Sequence, residues 1–321
     1  SSQLLRMVNK SKPVVQSACP ARIFTLATIQ EMVNVYQFHC TELNSKKTLT
    51  DLLTHANMQN MNDEKKMVSA EKEGQIVTAL ARGLSVLRCF RQGDRFLGNQ
   101  EIAERTGLPK ATVSRLTHTL TVLGYLNHSR RFSQYSLGPA VLSLGYSMLG
   151  NLDILKSARP LMQALADDSE ASVSLAARDS LHMVYLENCV ARANMITLRI
   201  DVGARTRIAN TAMGRALLCG LPEEERADLI AQIRQTTPKG EWAQIKAGID
   251  QGIIDYREKG FCFSLGDWRK DVNSIAVPLI QADNSVLAIN CGGPAWQLSA
   301  EKLEKDIGPR LVEISQRLEN L

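Results

Sequence analysis

Apolar residues in the first part of the chain recur at the three- and four-residue spacing of helices that bury one face. The first such run, Val77–Phe90, is followed by a polar break and by a shorter run, Leu97–Gly107. A third run extends from Lys110 to about Gly124 and starts directly after a proline. Glycine readily adopts the left-handed backbone that stops a helix, and proline suits the start of the next one. The pattern therefore predicts three helices, the last two joined by a tight turn.

The last two of these helices have the spacing of a DNA-binding helix-turn-helix. Two short helices cross closely only if a small residue lies inside the first, a glycine forms the turn and apolar residues line the second. The residues in these places are Ala103, Gly107, Val113 and Leu116. Two short alternating runs then flank a polar turn that contains Arg130 and Arg131, which predicts a hairpin, or wing. We therefore expect a winged helix.

The rest of the chain mixes helical and strand periodicity. Helical patterns cover Gly138–Asp153 and Ile154–Ala166, and another, Ser299–Leu321, ends the chain. The expected helices between them are Thr211–Cys219, Pro222–Ile233 and Trp242–Gly260. The expected strands are Ser172–Ala177, His182–Glu187, Met195–Val202, Ser274–Ile280 and Ser285–Asn290. Strands in the middle with helices at both ends indicate an α+β domain with an antiparallel sheet.

The length of 321 residues corresponds to about two domains of ordinary size. We expect a DNA-binding domain at 74–140, a linker helix at 141–154 and a second domain at 155–321. Residues 1–73 are polar and mixed and begin with serine, so we expect an N-terminal extension or an expression leader. The sequence has no apolar run long enough for a membrane helix and no signal peptide. The protein is therefore expected to be cytoplasmic, with no membrane partner.

The net charge of +5 is concentrated in the winged helix. Residues 74–140 carry nine basic and three acidic side chains, whereas residues 155–321 carry 20 basic and 22 acidic ones. This layout favours a nucleic-acid-binding protein, and a solvated basic surface is the other interpretation. The third helix has donors and small hydroxyls but no carboxylate on its open face, as contacts to phosphates and base edges require. The candidate DNA-binding residues are Lys110, Ala111, Thr112, Ser114, Arg115, His118, Arg130 and Arg131.

The sequence offers few groups for catalysis or metal binding. Its seven cysteines contain no C-x-x-C pair, so we expect reduced thiols packed as small apolar residues. The motifs G-x-S-x-G, H-E-x-x-H, G-x-G-x-x-G and the P-loop are absent. We expect no enzyme, no catalytic or metal-binding residue and no cofactor. The alternatives are a small-molecule enzyme with a basic accessory winged helix, and a winged helix that binds RNA or protein.

The run Glu101–Leu116 resembles the winged-helix domain of the IclR family of bacterial transcription regulators. The resemblance continues through Tyr135–Pro139, Met183–Glu187, Val202–Arg205, Thr211–Leu218 and Ile275–Leu279. It implies an N-terminal winged helix-turn-helix and a C-terminal GAF-like domain, assembled as a homodimer or homotetramer. It also implies a ligand-responsive regulator of a catabolic operon, either repressor or activator, that binds double-stranded DNA at a palindromic operator and a small organic acid.

The resemblance further implies that this small carboxylic acid lies between the sheet and the helix that begins near Ala212. Free N–H groups at a helix start suit a carboxylate. Ser264 and Ser274 replace an acidic residue and a cysteine of glyoxylate/pyruvate sensors, so a different acid is expected. Arg207 either pairs with the acid or is a solvated arginine at a strand end, and Met213 either lines the pocket or belongs to the core. The family positions that line the pocket correspond to Ala212, Met213, Ser264, Ser274, Asn290 and Gly292.

Overall fold

A computed structural model describes residues 76–91, 93–192 and 200–320. The expectations for residues 1–73 and for most of the strand Met195–Val202 fall outside these residues. Thr78–Leu321 forms one compact unit. Three hydrophobic clusters inside this unit show where the layers of secondary structure pack. No helix of the described part is long and apolar enough to cross a membrane.

The N-terminal part of this unit is the expected winged helix. Its three strands form an antiparallel sheet in the order β1-β3-β2. The helices are α1 (Thr78–Arg88), α2 (Asn99–Thr106) and α3 (Lys110–Val122). The strands are β1 (Leu97–Gly98), β2 (Leu126–Ser129) and β3 (Gln134–Leu137).

A small apolar core lies beneath the crossing of α2 and α3. Ile102 and Val113 are fully buried there. Gly107 ends α2 with φ 69°, a left-handed conformation that other residues avoid, and so turns the chain into α3. One expected boundary is wrong: Leu97 and Gly98 do not open α2 but pair with β3. Strand pairing places the Leu97 side chain in the core, where it is 1% exposed.

The larger, C-terminal part is an α+β domain built on one antiparallel sheet with the strand order β6-β5-β4-β9-β8-β7. Its strands are β4 (Ser172–Asp179), β5 (His182–Val190), β6 (Arg205–Arg207), β7 (Cys262–Leu265), β8 (Val272–Ile280) and β9 (Val286–Pro294). The helices are α4 (Pro139–Gly150), which links the two parts, α5 (Ile154–Ser169), α6 (Ala212–Gly220), α7 (Glu223–Thr236) and α8 (Trp242–Lys259). The last helical segment consists of α9 (Ala300–Lys302), a π-helical turn (Leu303–Ile307) and α10 (Gly308–Glu319).

Two strands of this domain escaped the sequence analysis, and the last residue of one expected strand is not in a strand. The edge strands β6 and β7 have three and four residues, which is too short for a clear alternation. Val202, the expected end of the strand from Met195, lies in a turn with Gly203, which leads into β6. The fold class is nevertheless the expected one, because the longer strands and all of the longer helices form where their periodicity predicts them.

Helices cover both faces of the sheet because its central strands are apolar on both sides. On one face, α5 and α10 pack against a cluster that includes Leu175 and Val277. On the other face, α6 packs against a layer of alanines, with α7 and α8 outside it. These alanines are Ala176, Ala276 and Ala288.

The start of α6 lies very close to the chain segment that precedes it. A Cβ atom on Gly214 would lie 2.1 Å from the carbonyl oxygen of Ile208 and 2.4 Å from its Cα. The Gly214 N–H donates a 3.1 Å hydrogen bond to the Thr211 hydroxyl, which caps the helix. The position of α6 therefore depends on a residue without a side chain.

We predict that Gly214→Ala lowers the free energy of unfolding by about 1–3 kcal/mol, because the added methyl group forces the backbone of Ile208 to move. Urea denaturation of the purified protein measures this change. The matched control is Gly145→Ala on α4, where no atom lies within 4 Å of the added methyl group. Alanine is the better helix former, so the control should gain about 0.5–1 kcal/mol. A similar change in both variants would contradict the close approach.

Candidate functional site

The helix α3 and the wing together form one concave surface. Ser114, Arg115 and His118 of α3 line a shallow depression with His128 and Tyr135 of the hairpin. The two hairpin rings are 4.8 Å apart, which fixes the wall opposite the helix. The sequence of α3 contains no aspartate or glutamate, so the helix contributes no charge that repels a phosphate.

The structure places the predicted DNA-binding side chains on the solvent side of the winged helix. All of them are exposed except Thr112, which is partly buried. Arg130 and Arg131 lie in the turn between β2 and β3, at the tip of the wing. The Arg131 guanidinium lies 5.3 Å from the ring of Phe132, whose ring lies 6.0 Å from that of Phe96. These contacts link the exposed tip of the wing to Phe96, the residue before β1.

Sequence reasoning missed the hairpin members of this surface. His128 and Tyr135 face each other across the β2–β3 register, and both lie outside the helix on which the motif was found. The alternation of the two runs around the turn predicts which residues share a face. It does not show that this face closes against α3, because that depends on packing between elements.

A second concave feature lies between the start of α6 and the sheet. It measures about 20 Å³, which is room for one water molecule, so an organic ligand requires the wall to open. Five of the seven predicted effector-binding residues line it: Ala212, Met213, Ser274, Asn290 and Gly292. The sequence analysis did not single out its other lining residues, which are Tyr185, Ile200, Thr211, Trp268 and Val272.

The remaining two predicted residues, Ser264 and Arg207, do not line this cavity. Ser264 is buried and pairs with Ser274 in the β7–β8 register, but its hydroxyl lies 3.4 Å from the carbonyl oxygen of Asn210. Arg207 is exposed at the end of β6 and lines a separate depression of about 180 Å³, together with Asn210 and Arg215. Arg215 is itself buried and paired with Asp267 at 2.8 Å.

The polar floor of the cavity follows from the register of the sheet. Residues two apart on a strand share a face of the sheet. The residue two positions from each alanine therefore lies on the same face as the alanine, the face that α6 covers. Ala176 is followed on this face by Ser174, Ala276 by Ser274 and Ala288 by Asn290. The pairing of Ser174 with Asn290, and of Ser274 with Gly292, brings these positions side by side. The same helix is thus packed on apolar residues at one end and faces polar ones at the other.

Two asparagines at this floor differ in how well they are hydrogen-bonded. The Ser174 hydroxyl donates to Asn188 Oδ1 at 2.8 Å, and Asn188 Nδ2 donates to the carbonyl oxygen of Ile200 at 2.9 Å. Asn290 Oδ1 is buried and has no hydrogen-bond partner in the part of the chain that the structure describes. A buried acceptor without a partner is costly, so this atom is available to a ligand that donates a hydrogen bond.

The cavity offers neutral donors and the positive end of a helix. The first-turn N–H groups of Ala212 and Met213 have no acceptor within α6, whereas that of Gly214 is taken by the Thr211 hydroxyl. Burial raises the pKa of Tyr185 to about 12, so its phenol keeps its proton at neutral pH. No carboxylate or cationic side chain is among the described lining residues. This arrangement suits a small ligand that carries a negative charge.

One ion-pair group connects the winged helix to the sheet that carries the cavity. Arg88 of α1 donates to both carboxylate oxygens of Asp179, each at 2.5 Å, and Arg205 of β6 lies 2.9 Å from the same carboxylate. Burial by itself raises the pKa of Asp179, but the hydrogen bond from Arg88 and the charges of the two arginines bring the pKa below its ordinary value. The carboxylate is therefore charged at neutral pH and contacts both parts of the molecule.

Comparison with known proteins gives two matches to family models. The IclR helix-turn-helix domain matches residues 79–130, and the C-terminal domain of the bacterial transcriptional regulator IclR matches residues 146–320. The HTH-type transcriptional regulator TsaQ1/TsaQ2 of Comamonas testosteroni is 33% identical over 76% of this chain and 88% of its own length.

Solved structures agree with these matches. The IclR family transcriptional regulator from Brucella abortus is 50% identical, with a TM-score of 0.72, over 78% of this chain and 94% of its own. An IclR homologue from Microbacterium hydrocarbonoxydans, crystallised as a complex with 4-hydroxybenzoate, shares the fold at 20% identity. Its TM-score is 0.59, and the match covers 75% of this chain and 98% of that one.

The contrast between the two asparagines gives a prediction on stability. Asn290→Leu removes a buried oxygen without a partner, so the free energy of unfolding should stay unchanged or rise by about 1 kcal/mol. Asn188→Leu breaks two hydrogen bonds and leaves the Ile200 carbonyl without its donor, so it should cost about 2 kcal/mol or more. Chemical denaturation of both variants measures the difference. Equal losses would show that Asn290 has a partner in solution.

Proposed function

Because this chain belongs to the IclR family of bacterial transcriptional regulators, we propose that it controls a catabolic operon in response to a small organic acid. In this proposal it binds a palindromic operator as a homodimer or homotetramer, as a repressor or an activator. The exposed face of α3 beside the wing, free of carboxylates, is the observation that carries the DNA-binding role. The chain is a regulator like its relatives and not an enzyme, which removes the alternative of an enzyme with an accessory winged helix.

The proposed contacts divide between affinity and sequence readout. Lys110, Arg115 and the two wing arginines would contact phosphates, because all four basic side chains are exposed. Thr112, Ser114 and His118 would read base edges in the major groove, and the methyl group of Ala111 suits contact with a thymine methyl. Arg115 also lines the depression toward the wing, so it lies where the recognition helix and the hairpin meet.

Exposed apolar side chains support self-association of the chain. Leu80 and Leu84 of α1 are 62% and 50% exposed, and α4 exposes several large apolar residues with no buried residue of its own. Large apolar side chains that are this exposed make both helices candidates for an interface. A second copy related by two-fold symmetry would cover it and present two recognition helices, which is why a palindromic operator is proposed. The exposed residues of α4 are Leu142, Leu144, Tyr146 and Met148.

The effector proposed for the cavity is a small carboxylic acid. Its carboxylate would accept hydrogen bonds from the N–H groups of Ala212 and Met213, and its polar remainder would meet Ser274 and Asn290. The complex of the Microbacterium homologue with 4-hydroxybenzoate, an aromatic acid, agrees with this chemical class. We propose that Ser264 and Arg207 act from outside the cavity lining. Arg207 would supply a positive charge at the neighbouring depression.

Effector binding would reach the winged helix through β6. The wall of the cavity includes Ile200 and Trp268, which lie outside the helices and strands and would be the parts that move when a ligand larger than water enters. Residue 200 precedes β6, whose Arg205 shares the Asp179 carboxylate with Arg88 of α1. Movement of β6 would therefore change the contact that orients the winged helix. The acid can shift the equilibrium between the two orientations of the winged helix only by the difference in its affinity for them.

The domain boundaries and the location of the protein complete the proposal. We assign the DNA-binding domain to 74–140, the linker helix to 141–154 and the effector-binding domain to 155–321. The helix-turn-helix match, 79–130, lies within the first of these segments, and the C-terminal match, 146–320, begins inside the proposed linker helix. A cytoplasmic location would give the winged helix access to DNA, and no cofactor is needed for either binding event.

Replacing one recognition-helix arginine should weaken DNA binding without loss of fold. We expect Arg115→Ala to reduce operator affinity about tenfold or more and to lower the dependence of affinity on salt by about one phosphate contact. The operator is first selected from random duplex DNA, and affinity is then measured by fluorescence anisotropy over a range of salt concentrations. Arg317→Ala, at an exposed position of α10, is the matched control. Affinities that fall equally in both variants, or in neither, would remove Arg115 from the interface.

Filling the cavity should abolish binding of the effector while DNA binding persists. We expect Ser274→Val to weaken binding of carboxylic acids such as 4-hydroxybenzoate at least tenfold, because the added methyl groups enter the cavity next to Gly292. Binding is followed by the fluorescence of Trp268, which lines the cavity, with Trp268→Phe identifying the signal. Ser157→Val, on α5 at the other face of the sheet, is the control. An unchanged response of Ser274→Val would place the ligand elsewhere.

A further inference from the structure

Two thiols lie in contact at the end of α6 that is remote from the cavity. The sulfur of Cys219, near the C-terminal end of α6, is 3.7 Å from the sulfur of Cys262, the first residue of β7. Both cysteines are free. Their sulfurs also lie 3.7 Å and 3.3 Å from the carbonyl oxygen of Gly252 in α8. A disulfide needs sulfurs about 2.05 Å apart, so the two side chains must approach each other by about 1.7 Å to form one.

The two thiols differ in accessibility and acidity. Cys219 is partly exposed, whereas Cys262 is fully buried. The hydrogen bond from Cys262 lowers the pKa of Cys219 against the effect of burial, and the positive charges of Arg226 and Arg257 act in the same direction while Asp255 opposes them. The same bond and the burial raise the pKa of Cys262. Cys219 therefore ionises first, and it is also the thiol that an oxidant can reach.

The other two buried cysteines lack this arrangement. Burial raises the pKa of Cys291 to about 12 and that of Cys189 to about 11. Their sulfurs lie 3.8 Å from the Ser169 hydroxyl and the Arg159 carbonyl oxygen. The part of the chain that the structure describes therefore holds one thiol pair and, in Cys189 and Cys291, two inert internal controls.

We propose that Cys219 and Cys262 are a redox-active pair that hydrogen peroxide or an organic hydroperoxide converts into an intramolecular disulfide. The Cys219 thiolate attacks the peroxide: an S–O bond forms, the O–O bond breaks, and the leaving hydroxide or alkoxide takes up a proton. The Cys262 sulfur then attacks the resulting sulfenic acid. The S–S bond forms, the S–O bond breaks, and the departing hydroxide leaves as water with the Cys262 proton. Two thiols lose two electrons, and one peroxide gains them.

The disulfide tethers α6 to β7. Cys262 and Ser264 share one face of β7, and the first turn of α6 forms the wall of the cavity at the other end of a nine-residue helix. A covalent bond at one end of so short a helix restrains the other end. Oxidation therefore limits the movement that opens the cavity, whichever ligand it takes.

The test treats the reduced full chain with hydrogen peroxide, blocks the remaining thiols and maps the peptides by mass spectrometry. The expected product is a crosslinked peptide pair that contains Cys219 and Cys262 and separates on addition of dithiothreitol. Cys262→Ser should stop at a sulfenic acid on Cys219, which dimedone traps, and Cys219→Ser should leave Cys262 reduced. Cys189→Ser should behave as the unmodified chain. Absence of the crosslink, or crosslinks that join other cysteines equally often, would overturn the proposal.

Hydrogen exchange tests the reach of the tether. The backbone amides of Ala212–Arg215 should exchange several-fold more slowly in the crosslinked protein than in the reduced protein. Peroxide-treated Cys262→Ser should show no such slowing, because it cannot form the bond. Unchanged exchange in fully crosslinked protein would overturn the link between the thiol pair and the cavity. Neither measurement involves DNA or an acid, so both are independent of the proposed function.

Discussion

The close packing of α6 on the sheet is the constraint on which the C-terminal domain depends. The sheet presents alanines under the helix, and Gly214 touches the backbone of Ile208 with no room for a methyl group. Because the helix lies so near, its free N–H groups and the polar ends of β4, β8 and β9 become opposite walls of one cavity. Larger residues at these positions would turn the cavity into an open cleft and leave the helix dipole facing water, where it is worth little.

The winged helix could be predicted from the sequence because the residues that define it are close together in the chain. Ala103, Gly107 and Val113 lie within eleven positions of one another, and each fixes a neighbouring turn or crossing. The short pairing of Leu97 with Tyr135 was not visible, because it joins residues far apart in a strand of two. The hairpin wall at His128 escaped for a similar reason: the contact between a wing and a helix is made by packing, which no periodicity encodes.

Only part of the cavity could be predicted from the sequence. Its position came from a resemblance, and that resemblance also pointed to Ser264, which the edge position of β7 places beside Asn210 instead of in the lining. Tyr185 was missed although it belongs to an expected strand, since knowing its face requires the order of all six strands. The ion pairs of Asp179 and the thiol pair could not be predicted from the sequence at all. Arg88 and Asp179 are 91 residues apart in the chain, and Cys219 and Cys262 are 43 residues apart.

The two proposed binding surfaces differ in how they use charge, and this would have a consequence for the cell. The proposed recognition surface relies on exposed arginines and a lysine, so its affinity for a polyanion would fall steeply as added salt makes the release of counterions less favourable. The cavity is lined by uncharged groups that would lie in direct contact with a ligand, and mobile ions screen such short interactions little. An osmotic upshift that raises the internal salt concentration would thus loosen the protein from DNA while it leaves the sensing of metabolites almost unaltered. The same molecule would then report two quantities, the abundance of a nutrient and the ionic state of its surroundings, through separate physical channels.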